Sequence, residues 1–214
     1  GISSFQSIFL VRAHGITTGE AAIWINTPVA LVAASGTFAT GWMATRLYKK
    51  YPGAIAWVPA IGLALSVPFY LYAFTTENLL YAGICLGIGG FVKYGYLAAQ
   101  YTIGQGVVTM RVRATATAVL LFVVNLIGYG FGPLFIGAIS DIFFVSGIVE
   151  LGVTTEELAR NQCHPRVIAQ LSEPLQNVCG AVYADSLRSA MLITASLYAA
   201  CAFFFLLTWR RLDK

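Results

Sequence analysis

Five apolar stretches, at 21–44, 54–74, 79–103, 114–139 and 187–209, leave this chain little choice of solvent. As helices rising 1.5 Å per residue, each is long enough to cross a hydrocarbon core of about 30 Å. Backbone amides in that core must bond within their own segment, which selects helices over loops or open sheets. Composition agrees: 58% of the residues are hydrophobic and 10% charged, against about 25% charged in a soluble domain. The surface therefore faces lipid, and the expected fold is an all-α polytopic membrane protein. A further apolar run, 2–11, is too short to cross alone. It has no charged leader and no small-residue cleavage site, so it does not read as a signal peptide. We read it as part of a first span truncated upstream; the other reading is a short segment lying on the membrane surface.

Lys and Arg in the short loops set the orientation. Arg46, Lys49, Lys50, Arg111, Arg113, Arg210, Arg211 and Lys214 fall on one side of the spans. Arg12, Arg160, Arg166 and Arg188 fall on the other, with Glu20, Glu77, Asp141, Glu150, Glu156, Glu157, Glu173 and Asp185. The richer basic side is expected to be cytoplasmic, with the C-terminus inside and 141–186 an extracytoplasmic insertion, in a plasma or bacterial inner membrane. The net charge of +4 then reflects topology. No basic patch interleaved with aromatics suggests nucleic acid.

Within 141–186, Thr154 and Glu157 have capping-box spacing and predict a short helix, with Pro165 and Pro174 interrupting the chain beyond it. The run 142–151 is apolar enough either to prolong the preceding helix or to lie at the interface. Cys85 and Cys201 fall in spans and read as packing residues. Cys163 and Cys179 share the outer segment, where disulfides are permitted. A bridge closing a loop of about 15 residues contributes roughly 3 kcal/mol. The competing metal site through Cys163, His164 and Cys179 lacks a fourth ligand.

Polar residues are unevenly shared among the spans. Segments 54–74 and 187–209 carry few and read as lipid-facing supports. By contrast 79–103 carries Lys93, Gln100 and the tyrosines 94, 96 and 101; 114–139 carries Asn125 and Tyr129; 21–44 carries Asn26, Thr27 and Ser35. A charge at mid-span costs roughly 2.5–3.5 kcal/mol on insertion scales, so Lys93 needs a partner or a wet path. Snorkelling to an interface is the plainer reading, but Lys93 is deep for it. On a continuous helix Lys93, Tyr96 and Gln100 share one face, and Asn125 and Tyr129 another. Asn125 has a second reading as interhelical glue. The candidate binding residues are thus Lys93, Tyr96, Gln100, Asn125, Tyr129 and Asn26. Glycines cluster at 83, 87, 89, 90 and 95, and at 128, 130, 132 and 137 with Pro133. Such clusters permit close helix packing and bending.

The segment Gly41-Trp-Met-Ala-Thr45-Arg46-Leu-Tyr-Lys49-Lys50 resembles the Gly-x-x-x-Asp-Arg-x-x-Arg/Lys loop motif of the major facilitator superfamily, at its repeat between the eighth and ninth helices. Thr45 stands where that motif has Asp. Arg111-Val-Arg113-Ala-Thr-Ala-Thr-Ala, then Asn125-Leu-Ile-Gly128, Gly130-x-Gly132-Pro133 and Gly137-x-x-Ser140-Asp141, resembles the eleventh helix of spinster-type members. Asp185-Ser-Leu-Arg188 fits the same group. The resemblance covers nearly the whole chain, as a C-terminal half with a longer outer insertion.

That resemblance implies a six-helix half built as a 3+3 inverted repeat, working in a secondary transporter by alternating access. It implies as partner an N-terminal six-helix half, which would hold the proton-coupling carboxylates. Spinster relatives are similar to proton-coupled carriers of lysolipids and sphingoid phosphates, and Lys93 beside Tyr96 and Gln100 would suit an anionic head group. Arg46, Lys49 and Lys50, with Arg111 and Arg113, are the expected cytoplasmic gate. The alternative is another branch of the superfamily carrying organic anions or drugs. A channel would need a filter loop or rings of charge. A membrane enzyme would need His or carboxylates within the bilayer, and His14 and His164 lie outside the spans. No cofactor or metal is expected, and no Gly-rich phosphate loop suggests ATP.

Overall fold

The structure is a computed structural model that describes residues 2–150, 163 and 173–212. Among the described residues regular structure is entirely helical, in six successive helices: α1 Ile2–His14, α2 Thr18–Tyr48, α3 Ala54–Thr75, α4 Leu79–Gly106, α5 Met110–Glu150 and α6 Glu173–Leu212. The last five are long and apolar enough to cross a bilayer. The 13 residues of α1 reach only about 20 Å.

Local chemistry sets the ends. At the start of α2, Glu20 N–H donates to the Thr17 hydroxyl (3.2 Å) and Thr17 N–H to the Glu20 carboxylate (2.9 Å), a reciprocal cap. Asn78 caps α4, its Oδ1 accepting from Leu80 and Tyr81 N–H at 3.0 and 3.3 Å. Helix α1 stops at Gly15, whose φ of +67° a side chain would resist.

Several helices are not straight. In α2 a wide turn spans Ala21–Asn26, with Thr27 N–H bonding Ala22 O, just before Pro28. In α5 a second spans Leu126–Phe131, with Gly132 N–H bonding Ile127 O, just before Pro133. Proline has no N–H to give its i−4 carbonyl, and an i→i−5 turn absorbs the resulting misfit. The two bulged helices are the middle members of their triples, as an inverted repeat of three helices would place them. Helix α4 breaks outright into α4a, Leu79–Lys93, and α4b, Tyr96–Gly106.

The core draws on every helix: Phe9 and Leu10 of α1, Ile25 of α2, Phe74 of α3, Leu86 of α4, Ile136 of α5 and Met191 of α6. Phe9 and Phe74 meet edge to face at 5.1 Å. Helix α3 packs on α2, α4 and α6. The expectation that 54–74 is a lipid-facing support is therefore corrected: half of its apolar window is buried, against 6% for α5. Ala54, Ala56, Ala60 and Gly62 explain why, since small side chains let neighbouring backbones close in.

Where it is described, the segment 141–186 is helical on both flanks. The run 142–150 prolongs α5, and α6 begins at Glu173 with Pro174 in its first turn, where proline is tolerated. Cys163 and Cys179 form a disulfide, clustered with Phe144, Ile148, Val182 and Tyr183. The Thr154–Glu157 cap, Pro165 and His164 lie outside the described residues.

Candidate functional site

The break in α4 organises the site. Tyr94 N–H still bonds Gly90 O at 3.1 Å, but Leu97 N–H turns back to Tyr94 O at 3.1 Å, and the regular ladder lapses between them. Neighbouring helices crowd this point. A Cβ at Gly36 would overlap the Phe91 carbonyl, one at Gly62 the Val92 carbonyl oxygen, and one at Gly95 the Thr40 side chain.

Lys93, the last residue of α4a, is 5% exposed. Its ammonium does not point into an open wall. It lies 3.3 Å from the Tyr198 hydroxyl of α6 and over the rings of Tyr94, Tyr70 and Tyr198 at 4.5, 4.9 and 5.1 Å. Lys93 turns toward α3 and α6, and Tyr96 beyond the break lies within electrostatic reach of the same Tyr70 and Tyr198. Tyr70 and Tyr198 are the residues that sequence reasoning passes over. Counting only aliphatic polar groups in α3 and α6 sets tyrosines aside, yet a phenol on an otherwise apolar span was the available signal.

Beyond the break, Tyr96 is half-buried and stacks on Tyr94 with ring centroids 6.5 Å apart. It lies within electrostatic reach of Tyr129 on α5. Gln100 Nε2 is buried without a hydrogen-bond partner among the described residues. Tyr129 is 70% exposed. Asn125 is exposed and donates to Leu121 O of its own helix at 2.8 Å, so it glues no neighbour among the described residues. Asn26 lies apart from these groups. Its Oδ1 accepts from Gln6 at 2.7 Å and its Nδ2 donates to Ser7 at 2.7 Å, which ties α2 to α1. The structure thus brings Tyr96 within reach of Tyr129 and, like Lys93, of Tyr70 and Tyr198, while Asn26 is occupied elsewhere.

At the basic end, Arg46 stacks over Trp42 at 4.3 Å and Lys50 lies 5.4 Å from the Tyr51 ring. Thr45 donates to Gly41 O at 2.8 Å within its own helix, so the position that carries Asp in the loop motif makes no ion pair. Arg46, Lys49, Lys50, Arg111 and Arg113 are all exposed. Gln105 of α4b donates to Thr117 of α5 at 3.1 Å nearby. A pocket of about 490 Å³ opens between Thr45, Tyr48, Pro52, Thr102 and Val107.

The opposite end is tied by Arg12, which donates to the Tyr183 hydroxyl at 2.7 Å and lies 3.8 Å from the centre of that ring. Asp185 pairs with Arg188 at 2.8 Å. Burial pulls the His14 imidazole below its ordinary value near 6.5, and the Arg188 cation acts in the same direction, against a hydrogen bond with the Glu77 backbone. Among the described residues no cluster of His, Cys, Asp and Glu could hold a metal ion.

No family model matches the sequence. Among curated proteins the chain is similar to an MFS-type efflux pump of Mycolicibacterium smegmatis, 26% identical over 140 residues, which are 65% of this chain and 32% of that protein. Among solved structures it is similar to a bacterial homologue of the human lysosomal transporter Spinster in an inward-facing, occupied conformation. That match has a TM-score of 0.85 and 36% identity, and covers 99% of this chain and 45% of the other. The inward-facing, unoccupied conformation gives a TM-score of 0.83 and 37% identity, covering 98% and 44%. The chain spans less than half the length of these structures and about a third of the curated relative.

Proposed function

We propose that this chain, a spinster-like member of the major facilitator superfamily, forms one wall of a secondary transporter that moves an anionic, lysolipid-like amphiphile by alternating access. What supports the reading most is the likeness over 99% of the chain to a Spinster homologue at 36% identity. The wall itself adds chemistry suited to a polar head: the Gln100 amide nitrogen, without a partner among the described residues, and the phenols of Tyr96 and Tyr129. Lys93 contributes its positive charge. Asn125 reaches the same wall only by giving up its bond to Leu121, and Asn26 contributes by holding α1 to α2.

An N-terminal six-helix half completes the cavity, covering the largely exposed α5, and supplies the carboxylates that couple transport to protons. The basic end faces the cytoplasm, with the C-terminus beside it and 141–186 outside. Arg46, Lys49 and Lys50, joined by Arg111 and Arg113, hold the cytoplasmic gate by bonding helix C-terminal ends, which attract cations by about 0.3–1 kcal/mol at exposed sites. A second reading, export of organic anions or drugs, is favoured by the efflux pump among the relatives.

The test is uptake of a labelled lysophospholipid into vesicles carrying this chain with its N-terminal half. Saturable uptake that a protonophore abolishes, and that ATP depletion at fixed gradient leaves intact, is the expected result. Drug export without lysolipid uptake favours the second reading. No gradient-dependent flux of either kind overturns both.

A further inference from the structure

Lys93 is a buried cation without a counter-ion: among the described residues no carboxylate lies within ion-pair distance of it. Its compensation has another source. Three ring faces stand 4.5–5.1 Å from the ammonium and one phenol oxygen 3.3 Å away. A cation within about 6 Å of a ring face is drawn to its quadrupole, more strongly when desolvated.

The rings come from three places, α3, the α4 break and α6, so the box exists only when these are assembled. Tyr70 and Tyr198 meet edge to face at 5.6 Å. Tyr70 lies against Gly89 so closely that a Cβ there would come within 3.0 Å of its ring. Lys93 therefore occupies a built site for an ammonium group, tethered by its own side chain.

The position of that site gives it a consequence. Helix α4a buries Ala82, Leu86, Gly87, Gly89, Gly90 and Lys93, whereas α4b buries Ala99 alone. The glycine contacts at 36 and 62 grip the backbone just before the break, and the contact of Gly95 with Thr40 grips it at the break itself. We propose that Lys93 is a positioning residue: as occupant of a tyrosine-built ammonium box it anchors the break of α4 against α3 and α6. The box selects a primary ammonium. This assignment goes beyond the transport reading and does not depend on what is carried.

The experiment is amide hydrogen exchange on the full-length protein in lipid nanodiscs, comparing wild type, Lys93→Met and Lys93→Ala. The Ala variant is measured with and without n-propylammonium, which restores the missing atoms, and with n-propanol, which has that shape without the charge. Lys93→Met is expected to raise exchange on the order of tenfold at 94–98 while α1, α3 and α6 keep their protection. Propylammonium is expected to return the Ala variant to the wild-type pattern, and propanol is not. Unchanged exchange in Lys93→Met would refute the anchor. Exchange raised throughout the bundle would make Lys93 a prop for the whole fold and refute a local anchor. Equal rescue by propanol would make the box a matter of volume and refute its ammonium selectivity. Each result is read without any transport measurement.

Discussion

The carbonyl of Phe91 rests against Gly36, so closely that a Cβ at position 36 would overlap its oxygen. Phe91 lies at the end of α4a, where the ladder lapses, so its oxygen faces a glycine Cα rather than a regular helical partner. Weak Cα–H···O contacts of this kind recur at helix interfaces. Gly36→Ala is expected to lower stability by about 1–3 kcal/mol, because backbone must move to admit the methyl. Gly87→Ala is the control: a Cβ there meets nothing within 4 Å, and removing a mid-helix glycine gains up to about 1 kcal/mol. Thermal unfolding of the two purified variants checks the pair. Equal melting shifts would show that the α2–α4 approach is looser than the geometry here.

Arg12 and the disulfide together hold the ends of α1, α5 and α6 opposite the basic end. Tyr183→Phe keeps the ring beneath the guanidinium but loses the hydroxyl acceptor, and is expected to cost about 0.5–1.5 kcal/mol. Tyr183→Ala also removes the Phe144 contact, centroids 6.3 Å apart, and should cost more. Cys163→Ser with Cys179→Ser releases a chain segment of sequence separation 16, worth about 3 kcal/mol in the chain-entropy account. Proteolysis near 163–186 in each variant, compared with global melting, checks that these losses are local to that end.

His14 predicts the direction of one pH effect. Burial holds its folded-state value below the ordinary 6.5, Arg188 of α6 adds to that, and the Glu77 backbone opposes it. The unfolded chain then binds a proton more readily than the folded one. Stability from this group is full above about 6.5 and is lost as pH falls toward the lower folded value. Arg12 on the same helix adds no opposing negative charge. His14→Asn should therefore flatten the dependence of melting temperature on pH between about 7 and 5. A variant with the wild-type slope would assign the effect to other groups.

The spans were legible because a bilayer imposes length and apolarity directly on the sequence, residue by residue. What hydropathy could not separate was which apolar helix is buried, since lipid and protein neighbours ask for the same side chains. The small residues of α3, from Ala54 to Gly62, carried that information, and polarity counting overlooked it. Lys93 needs compensation at its depth in the span, and the partners on α3 and α6 lie at sequence distances no periodicity reveals. The pairing of Gln6 with Asn26 was hidden for the same reason. Bending in α5 was foreshadowed by Gly128, Gly130, Gly132 and Pro133. The break in α4 had a weaker marker in Gly95, whose need for closeness to Thr40 appears only once the helices are assembled.

Arg46 separates a gating role from a purely topological one. Its stacking on Trp42 is exposed, and such a contact is worth about 0.5–1 kcal/mol. Arg46→Ala should therefore barely move the melting temperature or the amount of protein in the membrane. Gradient-driven uptake by the full transporter is expected to fall several-fold nonetheless. A fall in abundance with unchanged uptake per molecule would leave Arg46 as an orientation signal.

Gln100 and Asn26 were both polar candidates for the wall, and their opposite bonding gives opposite predictions. Gln100 Nε2 is buried without a partner among the described residues, so the fold already bears its desolvation cost. Gln100→Leu removes that polar group at similar volume and should leave stability unchanged or raise it by about 1 kcal/mol. If the amide serves a ligand, uptake must still fall, the pattern of a residue kept for function at the expense of stability. Asn26→Leu strands the Gln6 amide and the Ser7 hydroxyl that it now satisfies, at a cost of about 1–3 kcal/mol. Its uptake should fall only in proportion to the folded protein lost. Melting temperature and uptake per folded molecule, measured on both variants, place each residue. If Gln100→Leu loses stability, or keeps full uptake, its amide is not the ligand-facing donor of this wall.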